Sequence, residues 1–278
     1  MKEFLKRKDI ILSPKRYFID ALSAMAQGLF ASLIIGLIIR TLGEQLTRFF
    51  SENFFFSFLT EAGTLAISLM GPAIGAAVSF GLKAPMLVVV CGAVTGAAGA
   101  SFGGPAGAFV GAVFGCEFGK AVSKETRLDI IVTPAVTILI GTAAAKLIGP
   151  AISQMMNGIG QIVISSTNMQ PFFFGIINAV IVGLVLTAPI SSAALALMLG
   201  LDGLAGGAAT AGCCAQMIGF AVISYKDNGF GGSLAQGIGT SMLQVPNIIK
   251  NPWIVVPPTL ASAVTGPLST LVFNMNSS

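Results

Sequence analysis

The sequence has no histidine and few charged residues, and both shortages restrict what the protein can do. None of its 278 residues is His, and Asp, Glu, Lys and Arg together make up only 9%. Soluble domains carry about 25% charged residues, so this chain has too few charges to cover a soluble globule of its size. Without histidine it also lacks the commonest general base and metal ligand.

Signatures of the common enzyme classes are missing as well. The four cysteines lie inside apolar segments and lack metal-ligand spacing (Cys91, Cys116, Cys213 and Cys214). No glycine-rich loop ends in Lys-Ser or Lys-Thr, as a nucleotide-phosphate loop would. We therefore predict no catalytic residue, no metal and no cofactor, and we interpret the cysteines as small buried apolar residues.

Apolar residues are abundant, at 54% of the chain, and they occur in runs long enough to cross a membrane. We predict nine spans, at 18–42, 57–82, 85–101, 104–122, 128–149, 171–187, 189–201, 203–225 and 253–273. The segment 151–164 is either an amphipathic surface helix or a short tenth span. The sequence thus predicts an all-α polytopic membrane protein with about 8–10 transmembrane helices.

Positive charge is concentrated at the beginning of the chain. Six of the fifteen Lys and Arg residues precede residue 17. This bias is typical of a segment that remains in the cytoplasm. The basic segment is also too short to be a DNA-binding domain. We predict a cytoplasmic N-terminus and no nucleic-acid partner.

Glycine recurs at every fourth position from Gly99 to Gly119, and a similar ladder begins 104 residues later at Gly203. Such a ladder predicts a helix face on which backbones touch inside a membrane. At the same offset, Ala84-Pro85 matches Ala188-Pro189. We predict two repeats, about 18–122 and 128–225, then an insertion at about 226–252 and a last span at 253–273. The repeats are parallel if 151–164 does not cross the membrane and inverted if it does.

The insertion is rich in glycine and proline, which predicts a re-entrant or broken helix near 229–250. Broken helices expose backbone groups that can bind a polar solute. The polar side chains there have the hydrogen-bonding types that a sugar hydroxyl needs; they are Gln236, Thr240, Ser241, Gln244 and Asn247. The alternative is a surface loop whose amides bind its own backbone.

Three acidic residues and one amide complete the candidate site residues. Glu61 and Gln216 are predicted to bind substrate, although Gln216 would serve equally well as a hydrogen bond between helices. Glu117 and Asp202 are candidates for an ion or proton site. Their alternatives are pairing of Glu117 with Lys120 and a helix-cap role for Asp202.

Three stretches resemble a known family: 212–217 (GCCAQM), 239–247 (GTSMLQVPN) and Asn251-Pro252. The chain resembles the bacterial membrane proteins of the phosphotransferase-system enzyme IIC-like family, which includes the perfringolysin O regulator protein. The resemblance implies a sugar-translocating subunit in the bacterial plasma membrane, usually a homodimer. It also implies a separate cytoplasmic IIB-type subunit that phosphorylates the bound sugar.

We therefore expect a membrane transporter that binds a small polar solute, such as a sugar, at the interface of the two repeats. At most it would be the membrane subunit of a phosphotransferase permease rather than a self-sufficient enzyme. One alternative is a membrane sensor that regulates transcription and binds a solute without transporting it. A channel would need a continuous polar stripe, and no ring of charge is evident.

Overall fold

The computed structural model describes residues 2–50, 53–166, 170–188 and 203–276, and every regular element in these ranges is a helix. The helices are α1 (Lys2–Arg7), α2 (Arg16–Phe50), α3 (Phe54–Ser68), α4 (Met70–Gly81), α5 (Met86–Val122), α6 (Asp129–Ser166), α7 (Pro171–Thr187), α8 (Gly203–Ile223), α9 (Tyr225–Leu234) and α10 (Pro252–Val272). The predicted all-α class is confirmed.

Five described helices are long and apolar enough to cross a membrane: α2, α5, α8, α10 and the Asp129–Ile152 part of α6. Helices α3 and α4 meet at Leu69 with a bend of 52° and together form a sixth candidate. Helix α7 is apolar but has only 17 residues. The predicted span 189–201 lies outside the described residues. These helices confirm a polytopic membrane protein.

The chain forms two compact units, unit 1 at residues 1–152 and unit 2 at residues 153–278. The boundary falls within α6, and the segment 151–164 is the C-terminal part of that helix rather than a helix of its own. The proposed repeats and their relative orientation stay predictions.

Helix α5 is a hairpin, which corrects the expectation that the first glycine ladder lines one face of a single helix. Gly103 (φ −154°) and Gly104 (φ 59°) leave helical geometry, and the two halves fold back on each other. A Cβ added to Gly111 would lie 2.8 Å from the Thr95 carbonyl oxygen, whereas in one straight helix these residues would be about 24 Å apart. Gly99 likewise faces Gly107. The ladder therefore forms two glycine stripes in mutual contact, and the predicted spans 85–101 and 104–122 are the two arms.

Small residues also join the other helices of unit 1. Helix α2 runs antiparallel to the bent pair α3–α4, with Gly28 against Ala73 and Gly43 against Thr60. The second arm of α5 packs on α6, where a Cβ on Gly115 would lie 2.9 Å from the Thr137 carbonyl oxygen. Helix–helix contact through small residues is the packing mode expected in lipid.

In unit 2, α8 and α7 both pack against α10. Gly219 faces Pro258, and Gly175 faces Gly266. The second glycine ladder lies on one helix, α8. The prediction that all four cysteines are buried is wrong there, since Cys214 is exposed and Cys213 is only partly buried, whereas Cys91 and Cys116 in unit 1 are buried.

Candidate solute site in unit 2

The chain between α8 and α10 is a broken helix, as the glycines and prolines predict. Helix α9 contains Gly229 in a left-handed conformation (φ 62°). Three short helical pieces follow, at Ala235–Gly239, Ser241–Gln244 and Val245–Lys250. Each break leaves backbone groups without helical partners, so this segment can present polar backbone groups as well as side chains.

Four of the five polar side chains predicted in the insertion are buried. Ser241 is 0% exposed, and Gln236, Thr240 and Gln244 are similarly buried; Asn247 is exposed. Burial of four polar side chains within a short segment is costly unless each is hydrogen-bonded. Their partners therefore show what each side chain does.

Two of these side chains hold the broken segment together. Thr240 has an extended backbone, and its Oγ1 accepts a hydrogen bond from the Met242 N–H at 3.2 Å, which caps the next helical piece. The Gln236 Oε1 accepts a hydrogen bond from the Ser224 Oγ at 3.3 Å, near the end of α8. Their contribution to a site is thus partly structural.

Ser241 connects the broken segment to the end of α7. Its Oγ lies 2.8 Å from the Thr187 Oγ1, and both side chains are buried. The Thr187 hydroxyl donates to the Gly183 carbonyl at 3.2 Å. Because a hydroxyl has one proton, Ser241 is then the donor to Thr187, and its own oxygen remains an acceptor.

Gln244 has an available donor. Its Oε1 accepts a hydrogen bond from the Asn247 Nδ2 at 2.8 Å, which fixes the orientation of the amide. The Gln244 Nε2 makes no hydrogen bond with any described residue. This group can donate to a solute oxygen while Asn247 holds the amide in place.

Gln216 has an available acceptor. Its side chain is fully buried on α8, and its Nε2 donates to the Thr259 Oγ1 at 3.2 Å. Its Oε1 is buried and has no hydrogen-bond partner among the described residues. An unsatisfied buried acceptor costs about 1–3 kcal/mol, so this oxygen marks a place where a further donor belongs.

Helix α7 brings Gln216 and Ser241 into one neighbourhood. A Cβ on Gly183 would lie 2.8 Å from the Gln216 Cγ, and Thr187, one turn later, contacts Ser241. Four residues of helix span about 6 Å. We name Thr187, Gln216, Ser241 and Gln244 the polar cluster. Among the described residues, the Gln244 Nε2 donor and the Gln216 Oε1 and Ser241 Oγ acceptors of this cluster remain available, a set that matches sugar hydroxyls.

The acidic candidates lie elsewhere or outside the described residues. Glu61 belongs to unit 1, is exposed on α3, and accepts a hydrogen bond from the Ser57 Oγ at 3.4 Å. Glu117 is also in unit 1 and forms an ion pair with Lys120 at 3.2 Å, as the alternative prediction had it. Asp202 lies outside the described residues.

Sequence reasoning missed Thr187 and Thr259, which hold Ser241 and Gln216. Thr187 precedes Ala188-Pro189, and proline after a helix indicates that the helix ends there. That signal could have placed Thr187 at a helix end. Thr259 lies one residue after Pro257-Pro258 at the start of an apolar span, and nothing in the sequence distinguishes it from other span threonines.

Comparison with known proteins gives one result. A family model described as "Phosphotransferase system, EIIC" matches residues 19–278. No curated protein and no solved structure gives a significant match. The matched range includes every residue of the polar cluster.

Proposed function

The chain belongs to the phosphotransferase system EIIC family, and from this premise we propose that it transports a small polar solute, a sugar or sugar-like molecule, which binds at the polar cluster. The family and the membrane helices support a permease-like protein. The observation that carries the site is the buried, unpartnered Oε1 of Gln216. It lies near the broken helix, where the Gln244 Nε2 has no hydrogen-bond partner among the described residues, and a polyhydroxylated solute would pair with both groups.

The chemistry of the polar cluster favours a neutral solute. All four of its side chains are uncharged, and hydroxyl and amide groups can each pair with a sugar hydroxyl. Sites of this kind discriminate strongly, because a solute that lacks the matching group leaves buried polar atoms unpaired. A polyhydroxylated solute is therefore the expected class, rather than an organic acid.

Glu61 and Asn247 remain part of the proposal in different roles. Asn247 would orient Gln244 through the hydrogen bond between their amides. Glu61 remains a proposed substrate contact within unit 1. Glu117 and Asp202 remain candidates for a coupling ion or proton. The family also implies a IIB-type phosphate donor on the cytoplasmic side and a homodimeric permease.

The first experiment is a thermal-stability screen of the purified, detergent-solubilised protein against hexoses, polyols, sugar phosphates and organic acids. A ligand stabilises the state to which it binds. We expect a shift with at least one neutral sugar, and an affinity about three- to tenfold weaker in Gln244→Ala, which loses one hydrogen bond. Gln154→Ala, which alters an exposed amide on α6, is the matched control.

Uptake by proteoliposomes then separates transport from sensing. A sensor would bind the sugar and show no flux, whereas a transporter would show saturable uptake that Gln244→Ala reduces. Binding by Glu61→Gln tests the proposed substrate role of Glu61 separately. If the folded protein binds no neutral sugar or polyol, or if Gln244→Ala and Glu61→Gln both retain full affinity, the site assignment is wrong.

A further inference from the structure

Unit 1 contains a cavity with chemistry opposite to that of the polar cluster. The cavity has a volume of about 440 Å³ and lies where α1, the turn between α4 and α5, and the end of α5 converge. Its charged lining residues are Arg7, Lys8, Asp9, Lys83, Lys120, Lys124 and Glu125. The basic N-terminal segment contributes to it, so the positive-inside prediction places the cavity on the cytoplasmic side.

Positive charge exceeds negative charge in this cavity. Five lining side chains are cationic and two are acidic, a surplus of three positive charges. Three charged neighbours bind lining residues: Arg16 pairs with Asp9 at 2.7 Å, Glu117 pairs with Lys120 at 3.2 Å, and Asp129 accepts a hydrogen bond from the Lys124 N–H at 2.6 Å. They add one positive and two negative charges, so a surplus of two positive charges remains.

Some of these cations already have partners. The Lys120 Nζ donates to the carbonyl oxygens of Asp9 and Leu82, at 2.7 and 3.0 Å. Arg7 and Lys8 both pair with Glu125, at 2.7 and 2.5 Å. These bonds build the wall of the cavity and attach the N-terminal segment to the loop after α5.

Lys83 and Lys124 are the uncommitted cations. Neither side chain forms an ion pair or a hydrogen bond with any described residue. The Lys124 backbone N–H donates to the Asp129 Oδ1 at 2.6 Å, and the charge of the Lys124 side chain interacts with the same carboxylate over a longer distance. Two ammonium groups that have no hydrogen bond or ion pair among the described residues therefore line one concave site together with the partnered cations.

Lys83 and Lys124 also have an unusual backbone conformation. Four described non-glycine residues have a left-handed φ, and three of them line the cavity: Asp9 (52°), Lys83 (57°) and Lys124 (60°). Lys83 and Lys124 each follow a helix end, where glycine usually occupies this conformation because it has no Cβ. Such strained residues cluster at ligand-binding sites, so a lysine side chain at both positions points to a use for its charge.

We propose that this cavity binds a phosphate group, with Lys83 and Lys124 as its principal contacts. A phosphate dianion would neutralise most of the surplus charge, and lysine is a compact point charge suited to phosphate oxygens. The volume is within the range of small-ligand sites. The phosphate belongs either to a soluble phosphorylated compound or to a lipid headgroup. This inference is independent of the proposed solute site, because every lining residue lies in unit 1.

The test uses the full-length protein with two kinds of probe. The first is inorganic phosphate or glucose 6-phosphate, titrated into the protein in neutral detergent at constant ionic strength. The second is nanodiscs of phosphatidylcholine with or without phosphatidylglycerol, with thermal stability as the readout. We expect saturable, salt-sensitive binding by one kind of probe.

Three variants identify the contacts. Lys83→Asn combined with Lys124→Asn removes both charges but retains a residue that tolerates the left-handed conformation, and we expect affinity at least tenfold weaker. The corresponding double arginine variant should remain within about threefold of wild type, since it retains the charges. Lys250→Asn, which alters an exposed lysine of unit 2, should change nothing.

Each outcome decides the proposal. Charge-dependent binding of the soluble probes identifies a soluble phosphate compound, and stabilisation by phosphatidylglycerol alone identifies a lipid headgroup. If neither probe binds to the folded protein, or if the double asparagine variant binds as tightly as wild type, the proposal is wrong. A failure of the sugar screen would leave this result unaffected.

Discussion

The Oγ of Ser241 lies 2.8 Å from the Oγ1 of Thr187, so one buried pair of hydroxyls joins the broken helix to the end of α7. The Thr187 hydroxyl also donates to Gly183, and Gly183 is the residue against which Gln216 packs. A substitution at either residue of this pair should therefore affect both the broken segment and the position of the Gln216 Oε1.

Thr187→Val should destabilise the protein by about 1–3 kcal/mol, because it leaves the buried Ser241 hydroxyl without a partner. The double variant Thr187→Val, Ser241→Ala removes both groups and should recover much of the loss. Thermal unfolding in a single detergent measures the stability of the single and the double variants. Thr64→Val, at an exposed threonine of α3, is the control and should lie within about 0.5 kcal/mol of wild type. Strict additivity of the two single changes would contradict the coupling.

Gly99→Ala should destabilise unit 1 by about 1–3 kcal/mol or more, because the added Cβ would overlap the Gly107 carbonyl oxygen in the facing arm of the α5 hairpin. A backbone oxygen cannot rotate away as a flexible side chain would. Gly158→Ala is the matched control, since a Cβ there meets nothing within 4 Å; in a helix it should be neutral or stabilising by up to about 1 kcal/mol. Equal effects of the two changes on thermal unfolding would show that the arms do not pack through glycine.

The sequence predicts most helix positions well, because long apolar runs and their Gly and Pro boundaries are local signals. The broken segment after α8 is visible for the same reason. The α5 hairpin could not be predicted from local signals. Six evenly spaced glycines are compatible with one face of a straight helix or with two stripes that face each other. The non-helical backbone at Gly103 and Gly104 distinguishes the two arrangements, and glycine permits such conformations without requiring them.

The candidate site was partly predictable as well. Residue type identifies Ser241 and Gln244 as polar groups in an apolar chain. Whether the hydrogen-bond partner of each could be predicted depends on how far away it lies in the sequence. Asn247 is three residues from Gln244, whereas Thr187 is 54 residues from Ser241. The sequence does not predict the cationic cavity. Its lysines are far apart in the sequence and resemble ordinary interfacial charges, and only the fold brings them together.

Acid should weaken the attachment of the N-terminal segment. A hydrogen bond from Lys8, together with the charge of Arg7, lowers the pKa of the Glu125 carboxyl below its ordinary value of 4.5. A carboxyl with a lowered pKa in the folded state contributes stability at higher pH, and this is lost as the pH falls through the folded-state pKa. Glu125→Gln should therefore be less stable than wild type at pH 7, and the difference should shrink as the pH falls below 4.5.

Thermal unfolding of wild type and Glu125→Gln across this pH range measures the difference directly. Glu44→Gln serves as a control, because Glu44 pairs with Arg40 within α2 and does not touch the N-terminal segment. Hydrogen exchange of α1 should rise in Glu125→Gln and stay unchanged in Glu44→Gln. A stability difference that persists unchanged at pH 3 would contradict the assignment of this carboxyl.

Lys120 is the buried cation on which several parts of unit 1 depend. Its side chain is 1% exposed, and its Nζ contacts Glu117 and two carbonyl oxygens. Lys120→Met should destabilise the protein by about 3–5 kcal/mol, because it leaves a buried carboxylate without compensation. Adding Glu117→Gln removes that charge and should recover a substantial part of the loss.

Glu117→Gln alone then separates the two roles proposed for this acid. If Glu117 serves to balance Lys120, the single variant should lower thermal stability, and uptake per folded molecule should stay at the wild-type level. If Glu117 carries a coupling ion or proton, uptake should fall while binding of the solute persists, and the dependence of uptake on the pH gradient should disappear. Because solute affinity, flux and stability are measured separately, a loss of stability cannot be mistaken for a loss of coupling.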